Sequence, residues 1–184
     1  MKLEHYQSDL DFRLMTLWFR LRDWLRPPIR ILQDVGVQSR MTVLDFGCGP
    51  GGFSLSAARL TGPEGLVYAV DIHPLAIKSV QRAADKKGFK NIRTVAGEGL
   101  ADMQEGSVDI ALLYDVLHDL AEPHLILLKI HRVLKPNALL SIIDHHMEEA
   151  LLLSVITSGG LFLFSGSNRG TFRFVKAGTS GVTL

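Results

Sequence analysis

The chain has 184 residues, 47% of them hydrophobic and 21% charged, a composition that predicts one globular domain and excludes an intrinsically disordered chain. Its 20 Lys and Arg residues against 19 Asp and Glu residues leave a formal net charge of +1, without the basic excess expected of a nucleic-acid-binding surface. The single cysteine, Cys48, excludes an intrachain disulfide and a cysteine-only metal site.

The first predicted element is an amphipathic helix over residues 12–25, where leucine and tryptophan recur at helical spacing. The pair Pro27-Pro28 ends it, because proline lacks an N–H donor and disfavours helix in the residue before it. A short second helix is predicted over residues 28–35. We expect residues 1–38 to form a helical lid segment on one domain that covers residues 39–184. Peripheral contact of the first helix with an anionic membrane surface is the less favoured alternative.

Beyond residue 41, strand and helix patterns alternate along the chain. Strands are predicted at 42–46, 66–70, 92–96, 108–114 and 138–143, and helices at 53–60, 74–87, 125–134 and 148–157. The fourth strand is almost continuously apolar, which is typical of a strand buried on both faces. Repeated strand–helix units indicate a parallel sheet with helices on both faces.

The C-terminal part of the sequence departs from this alternation. Two β-rich runs, 161–164 and 171–175, are joined by SGSNRG, which is too short for a crossover helix and predicts an antiparallel hairpin. The most apolar stretch, 150–164, is interrupted by polar residues and Gly159-Gly160, so it predicts a helix, a turn and a strand instead of a bilayer span. With no secretory signal at the N-terminus, a cytoplasmic protein is expected.

A glycine-rich segment, VLDFGCGPGG at residues 43–52, lies where the first strand of the sheet meets a helix. Gly47, Gly49 and Gly51 allow a tight turn and close approach of a ligand, and the helix N-terminus offers N–H groups to a carboxylate or phosphate. The segment also fits the dinucleotide pattern G-x-G-x-x-G, and Asp71 at the end of the second strand suits a ribose diol. The segment alone therefore leaves both S-adenosylmethionine (SAM) and NAD open.

Asp45 favours SAM, because its carboxylate would repel a pyrophosphate and attract the amino group of a methionine. Residues from about 40 to 175 resemble a class I SAM-dependent methyltransferase of the type that includes ubiquinone and menaquinone biosynthesis enzymes. The resemblance is carried by VLDFGCGPGG, by VDIALLYDVLH at 108–118 and by HRVLKPNALL at 131–140. Asn137 stands where glycine is usual, and asparagine also tolerates turn conformations.

The resemblance implies a Rossmann-like three-layer α/β sandwich whose seven-stranded, mostly parallel sheet has the order 3-2-1-4-5-7-6 and ends in an antiparallel hairpin. It also implies a cofactor site. The expected contacts are Asp45, Gly47 and Gly49 with the methionine moiety, Asp71 with the ribose hydroxyls, Ile72 with the adenine ring, Glu98 with the adenine amino group, and Tyr114 and Asp115 beside the sulfonium. Gly51 and Gly99 are further cofactor-binding residues that the resemblance implies. Aspartate is more usual than glutamate at position 98.

The methyl acceptor is not identified by the sequence, although a small molecule is expected because no long insertion follows the fifth strand. Asp115 and His118 are the first candidates for catalysis and acceptor positioning. His145 and His146 are further candidates for a general base, since all four residues follow the carboxyl ends of neighbouring strands. A base is needed only for a hydroxyl, protonated amine or thiol acceptor.

Three other functions remain open. Acids at the ends of the fourth and fifth strands, Asp115 and Asp144, allow a Mg²⁺-dependent catechol-type O-methyltransferase, although their spacing falls short of a motif and no metal is expected. A SAM-binding module without catalysis is the second alternative. A Rossmann-like NAD(P)-binding protein is the least favoured.

Overall fold

The computed structural model describes residues 27–97 and 99–178, which form a seven-stranded mixed sheet flanked by helices. The strands are β1 Thr42–Phe46, β2 Leu66–Asp71, β3 Ile92–Ala96, β4 Val108–Tyr114, β5 Leu134–Ile143, β6 Phe162–Asn168 and β7 Thr171–Lys176. The helices are α1 Pro28–Val35, α2 Gly52–Thr61, α3 Pro74–Lys87, α4 Pro123–Val133 and α5 Glu149–Thr157, with a 3₁₀ turn at Leu117–Asp119. The helix expected over 12–25 lies outside the described residues.

The strand order is β3-β2-β1-β4-β5-β7-β6, so the order and the fold class expected from the sequence are confirmed. Strands β1 to β5 pair in parallel, and β7 runs antiparallel to both β5 and β6. Chain direction therefore places the ends of β1, β2, β4 and β5 at one edge of the sheet. This carboxyl edge carries the candidate site.

The central strand β4 shows why helices cover both faces of the sheet. Its side chains are buried except for the half-buried Asp109, and successive side chains point to opposite faces. Leu113 packs in one apolar cluster with Leu127 of α4, whereas Leu112 packs in another with Ala57 of α2. Each face of β4 is thus closed by its own helices, as the continuous apolar run predicted.

The boundary between α4 and β5 differs from the sequence-based expectation. The helix ends at Val133 and the strand begins at once with Leu134, so Pro136 lies inside β5 instead of stopping a helix. Asn137 adopts a left-handed conformation with φ of 60°, and the pairing of β4 with β5 shifts register beside it. This irregularity lets a strand contain proline. It also agrees with the turn tolerance expected of Asn137.

Strand β6 is longer than expected because it continues through most of SGSNRG to Asn168. A register shift between Phe164 and Gly166 accommodates the extra residue, and the connection shrinks to Arg169-Gly170. Both turn residues have positive φ, 50° and 80°, the backbone that two-residue hairpins require. The apolar stretch 150–164 thus forms helix, turn and strand. Within the described part of the chain, no helix is long and apolar enough to cross a membrane.

Asn91 fixes the end of α2, the helix that follows the glycine-rich segment. The residue is 6% exposed, and its side-chain amide donates hydrogen bonds to the carbonyl oxygens of Ala58 and Gly62 and to the hydroxyl of Thr61. The last carbonyls of a helix have no partner within the helix. One side chain just before β3 therefore satisfies the end of α2 and ties it to the sheet.

We expect Asn91→Ala to lower the free energy of unfolding by about 2 kcal/mol, because the hydrogen bonds that its buried amide donates to the end of α2 are lost. Urea unfolding followed by circular dichroism would measure the change. Lys90→Ala is the matched control, since Lys90 is the exposed neighbour and its removal should cost less than about 0.5 kcal/mol. Equal stability of the two variants would contradict this role of Asn91.

Candidate functional site

The glycine-rich segment connects β1 to α2 through three glycines with positive φ: Gly47 at 75°, Gly49 at 50° and Gly51 at 95°. A Cβ on Gly47 would lie 2.7 Å from Val116, and one on Gly51 would lie 2.7 Å from Val80, so the protein's own packing requires glycine there. A Cβ on Gly49 would meet no atom within 4 Å. Gly49 therefore presents bare backbone to an open space that a ligand can enter.

Asp71, at the end of β2, joins the glycine-rich segment to the β2–α3 connection. One carboxylate oxygen accepts a hydrogen bond from the Gly49 amide at 2.8 Å, and the other accepts one from the His73 amide at 2.7 Å. The N-cap of α3 is His73, because Nδ1 of its side chain accepts the hydrogen bond from the Leu75 amide. A carboxylate has about four acceptor positions. Asp71 can therefore accept further hydrogen bonds from a ligand.

An exposed isoleucine follows this carboxylate. Ile72 is 56% exposed and is one of several large hydrophobic side chains exposed in the described part of the molecule. Across the edge, Gly99 has no room for a side chain, since its Cβ would lie 2.0 Å from Val95. Glu98, the expected partner of the adenine amino group, lies outside the described residues. The expected contacts of Ile72 and Gly99 with the cofactor stay predictions.

Asp45 lies beneath the glycine-rich segment and is 2% exposed. Its carboxylate accepts a hydrogen bond from the hydroxyl of Ser54 in the first turn of α2. Burial raises the pKa of Asp45 to about 6, with a further increase from the charge of Asp71 that the hydrogen bond from Ser54 opposes. The pKa of Asp71 is also raised by burial and lowered by its two amide donors. Two buried acids with raised pKa values favour a ligand that brings positive charge.

Tyr114 ends β4 below the edge, where it is 8% exposed. Its hydroxyl shares a hydrogen bond with Ser141 at 2.9 Å, and its ring meets that of Phe53 edge to face at 4.6 Å. Burial raises the pKa of the phenol, so the hydroxyl remains protonated at neutral pH. The expected contact of Tyr114 with a sulfonium stays a prediction.

Two aspartate–histidine pairs cross between the ends of β4 and β5. Asp115 follows β4 and contacts Nδ1 of His145 at 2.7 Å, whereas Asp144 follows β5 and contacts Nδ1 of His118 at 2.9 Å. The ring of His146 lies 4.4 Å from that of His118. Asp115 itself has φ of 53°, which is rare outside glycine. The candidate catalytic residues Asp115, His118 and His146 are therefore brought together.

The Mg²⁺-dependent alternative requires Asp115 and Asp144 to be available as metal ligands. Within residues 27–97 and 99–178, no group of three or more His, Cys, Asp or Glu side chains is arranged to hold a metal ion. Asp115 and Asp144 instead direct their carboxylates to His145 and His118.

The sequence-based hypothesis missed Ser54 and the pairing of Asp144 with His118. A signal for Ser54 was its position in the first helical turn after Asp45, where a small hydroxyl can face the preceding strand. No local signal reveals the crossed pairs, because each joins residues at the ends of two different strands. Only the adjacency of β4 and β5 makes them visible.

Comparison with known proteins gives matches over most of the chain. The family model described as "Methyltransferase domain" matches residues 37–161. A 2-phytyl-1,4-naphtoquinone methyltransferase of Nostoc sp. strain PCC 7120 is 31% identical over 73% of this chain and 62% of that protein. A ubiquinone biosynthesis O-methyltransferase of Maricaulis maris is 30% identical over 74% of this chain and 52% of that protein. The chain thus spans less than two thirds of the length of these curated relatives.

One solved structure matches this chain over most of the length of both proteins. The SAM-dependent methyltransferase from Aquifex aeolicus has a TM-score of 0.74 and 25% sequence identity, with 84% of this chain and 91% of that chain covered.

The buried carboxyl of Asp45 predicts a pH dependence of stability. Its pKa is about 6 in the folded protein and about 3.9 in an unfolded chain. The folded state binds the proton more tightly, so the free energy of unfolding decreases as pH rises from about 4 to about 6. The total decrease in the free energy of unfolding over this pH range is about 3 kcal/mol.

We therefore expect Asp45→Asn, which cannot ionise, to gain about 3 kcal/mol over the unsubstituted protein between about pH 4 and pH 7. Urea unfolding of both proteins at each pH would measure the difference in the free energy of unfolding. The contributions of all other titrating groups cancel in this difference. A difference that does not change with pH would show that Asp45 is not held protonated by the fold.

Proposed function

The chain belongs to the methyltransferase-domain family, and from that membership we propose that it transfers a methyl group from SAM to a small-molecule acceptor. The proposal places the cofactor over the glycine-rich segment at the carboxyl edges of β1 and β2. The observation that carries it is the open backbone at Gly49 beside the carboxylate of Asp71. A cytoplasmic location remains part of the proposal.

The residues present fit an adenosine cofactor with a charged amino-acid end. Asp71 keeps acceptor capacity for two ribose hydroxyls, and the exposed Ile72 offers an apolar surface to adenine. Asp45 supplies negative charge below the methionine end, where a SAM ammonium group would stabilise the ionised carboxylate. The same acid disfavours a pyrophosphate, so the NAD alternative is weaker.

SAM, when bound, supplies a methyl group that is already activated by the sulfonium. The protein's contribution is then alignment and proximity, worth up to roughly 7–11 kcal/mol in favourable cases. Val116 packs against Gly47 and so keeps Asp115 and His118 next to the glycine-rich segment. This contact supports an acceptor position between the cofactor and the crossed aspartate–histidine pairs.

The acceptor is proposed to be a small molecule for two reasons. The helix α5 follows β5 after a connection of a few residues, which leaves no large insertion in the described chain for a macromolecular acceptor. The two curated relatives bear the names of quinone-pathway methyltransferases. Quinone precursors are therefore the first acceptors to test.

Calorimetric titration of the full chain tests the cofactor. We expect SAM and its demethylated product to bind in the micromolar range, because Asp71 and the glycine-rich segment suit the adenosine and methionine parts. NAD should give no measurable heat, because Asp45 repels its pyrophosphate. Binding of NAD without binding of SAM would overturn the proposed function.

Replacement of Asp71 tests the ribose contact. We expect Asp71→Ala to weaken SAM binding by roughly 1.5–3 kcal/mol, about 10- to 100-fold in Kd, because hydrogen bonds to a charged group are lost. The fold should survive, since the residue lies at a strand end. Asp85→Ala, at an exposed position of α3, is the matched control and should bind SAM as the unsubstituted protein does. An affinity of Asp71→Ala within twofold of the control would place the ribose elsewhere.

A further inference from the structure

We propose that His118, oriented by Asp144, is the general base of this site and that the acceptor carries an acidic hydroxyl group, as a phenol or enol does. The proposal rests on the methyl-transfer function above and deepens it by naming the acceptor class and the residue that takes the acceptor's proton. Three observations carry it: the burial of Asp144, its hydrogen bonds, and the partial exposure of the His118 side chain.

Asp144 is held rigidly at the end of β5. Its side chain is 0% exposed, and it accepts hydrogen bonds from the backbone amides of His118 and His146 in addition to its contact with the His118 ring. Burial would raise the pKa of Asp144, but the hydrogen bonds from His118 and His146 outweigh burial and lower the pKa below its usual value. The carboxylate is therefore ionised at neutral pH and fixed in direction.

An ionised carboxylate can only accept hydrogen bonds, so Nδ1 of His118 is the donor and carries a proton. In the neutral ring, Nε2 then holds the lone pair and can accept a proton from an acceptor molecule. The His118 side chain is 24% exposed, which leaves the ring accessible while most of it is shielded. Nε2 lies 3.4 Å from the carboxylate of Asp119, a side chain 67% exposed to water.

The connection after β4 places this ring close to the cofactor segment. Val116 lies so close to Gly47 that a Cβ on the glycine would approach its side chain to 2.7 Å. His118 follows two residues later in the 3₁₀ turn. His118 and the open backbone at Gly49 therefore lie on adjacent connections at the same edge of the sheet. A methyl donor at Gly49 and an acceptor at His118 would need this proximity.

The second pair, Asp115 with His145, is less suited to this role. The His145 side chain is 58% exposed, so water competes for both of its ring nitrogens. His146 lacks a described side-chain contact with an acid and instead lies against the His118 ring at 4.4 Å. We assign His145 the role of holding the end of β4 through Asp115, and His146 the role of lining the space for the acceptor.

The chemistry balances without a metal or a redox partner. The acceptor hydroxyl gives its proton to Nε2 of His118, and the oxygen forms a bond to the methyl carbon. The electron pair of the broken carbon–sulfur bond stays on sulfur, which leaves as the neutral thioether. His118 leaves the step as an imidazolium and returns its proton to water, while Asp144 stays ionised and stabilises the charged ring.

Nuclear magnetic resonance of the full chain with ¹⁵N-labelled histidine tests the arrangement without any acceptor. We expect His118 as the Nδ1–H tautomer, assigned by the loss of its signals in His118→Ala. In Asp144→Asn the side-chain amide can donate to Nδ1, which should shift the ring towards the Nε2–H tautomer. An Nε2–H tautomer in the unsubstituted protein would overturn the proposal, even if Asp144→Asn fails to fold.

Methyl transfer from labelled SAM tests the acceptor class, with catechol, hydroquinone and 1-naphthol as hydroxyl probes and benzylamine and benzenethiol as controls. We expect label in the hydroxyl probes. His118→Ala should lower kcat by about 10²–10⁴-fold, the contribution of a general base, and leave the affinity for SAM within twofold. His124→Ala, an exposed histidine of α4, is the matched control and should retain full turnover.

The outcomes separate this proposal from the proposed function. Absence of SAM binding would overturn methyl transfer itself. Three other outcomes, each with intact SAM binding, would overturn only the hydroxyl acceptor and its base. These outcomes are label in the amine or thiol alone, label in no hydroxyl probe, and unchanged turnover of His118→Ala.

The pH profile separates catalysis from a structural role. The charged and titratable groups that face His118 are Asp144, Asp119 and His146. We expect turnover to fall at low pH as Nε2 takes a proton, and this limb of the profile should disappear in His118→Ala. Asp144→Asn should lower kcat more than it changes KM for the acceptor, whereas a merely structural Asp144 would leave the shape of the pH profile unchanged.

Discussion

Parallel pairing of β1 with β2 on one side and with β4 on the other places three strand ends at one edge of the sheet. The chain then turns to one face of the sheet after β1 and to the other face after β4, because α2 and α4 cover opposite faces. Open α/β sheets bind their ligands where neighbouring connections turn to different faces in this way. Every feature of the candidate site depends on this one constraint.

The electrostatics beside the glycine-rich segment favours a positively charged ligand. Asp45 and Asp71 both have pKa values raised by burial, and the charge of Asp71 raises the pKa of Asp45 further. Their hydrogen-bond donors, Ser54 and two backbone amides, compensate only in part. A ligand with an ammonium and a sulfonium group would complete the charge balance. A ligand with phosphates would worsen it.

The sequence predicted much of the fold because its signals were local and mutually consistent. Strand β4 and helix α3 have the expected bounds, the first from its almost continuous apolar run and the second from Pro74 and Gly88 at its ends. The family expected from three motifs is confirmed by the match over residues 37–161. The predicted start of β5 was wrong, because proline at 136 predicts a break unless an irregularity in the pairing of β5 with β4 accommodates it. That accommodation depends on pairing with β4 and cannot be seen in local sequence.

The same limit applies to the site. Position along the chain sufficed to place Asp115, His118 and His146 at one edge, but which acid meets which histidine depends on the lateral spacing of two strands. As folded, each strand end holds the histidine that follows the other. The two connections are therefore coupled mechanically, because displacing either one breaks both pairs at once. Fluctuations of this edge should consequently be cooperative, with the β4 and β5 connections opening and closing as a single unit on a common timescale.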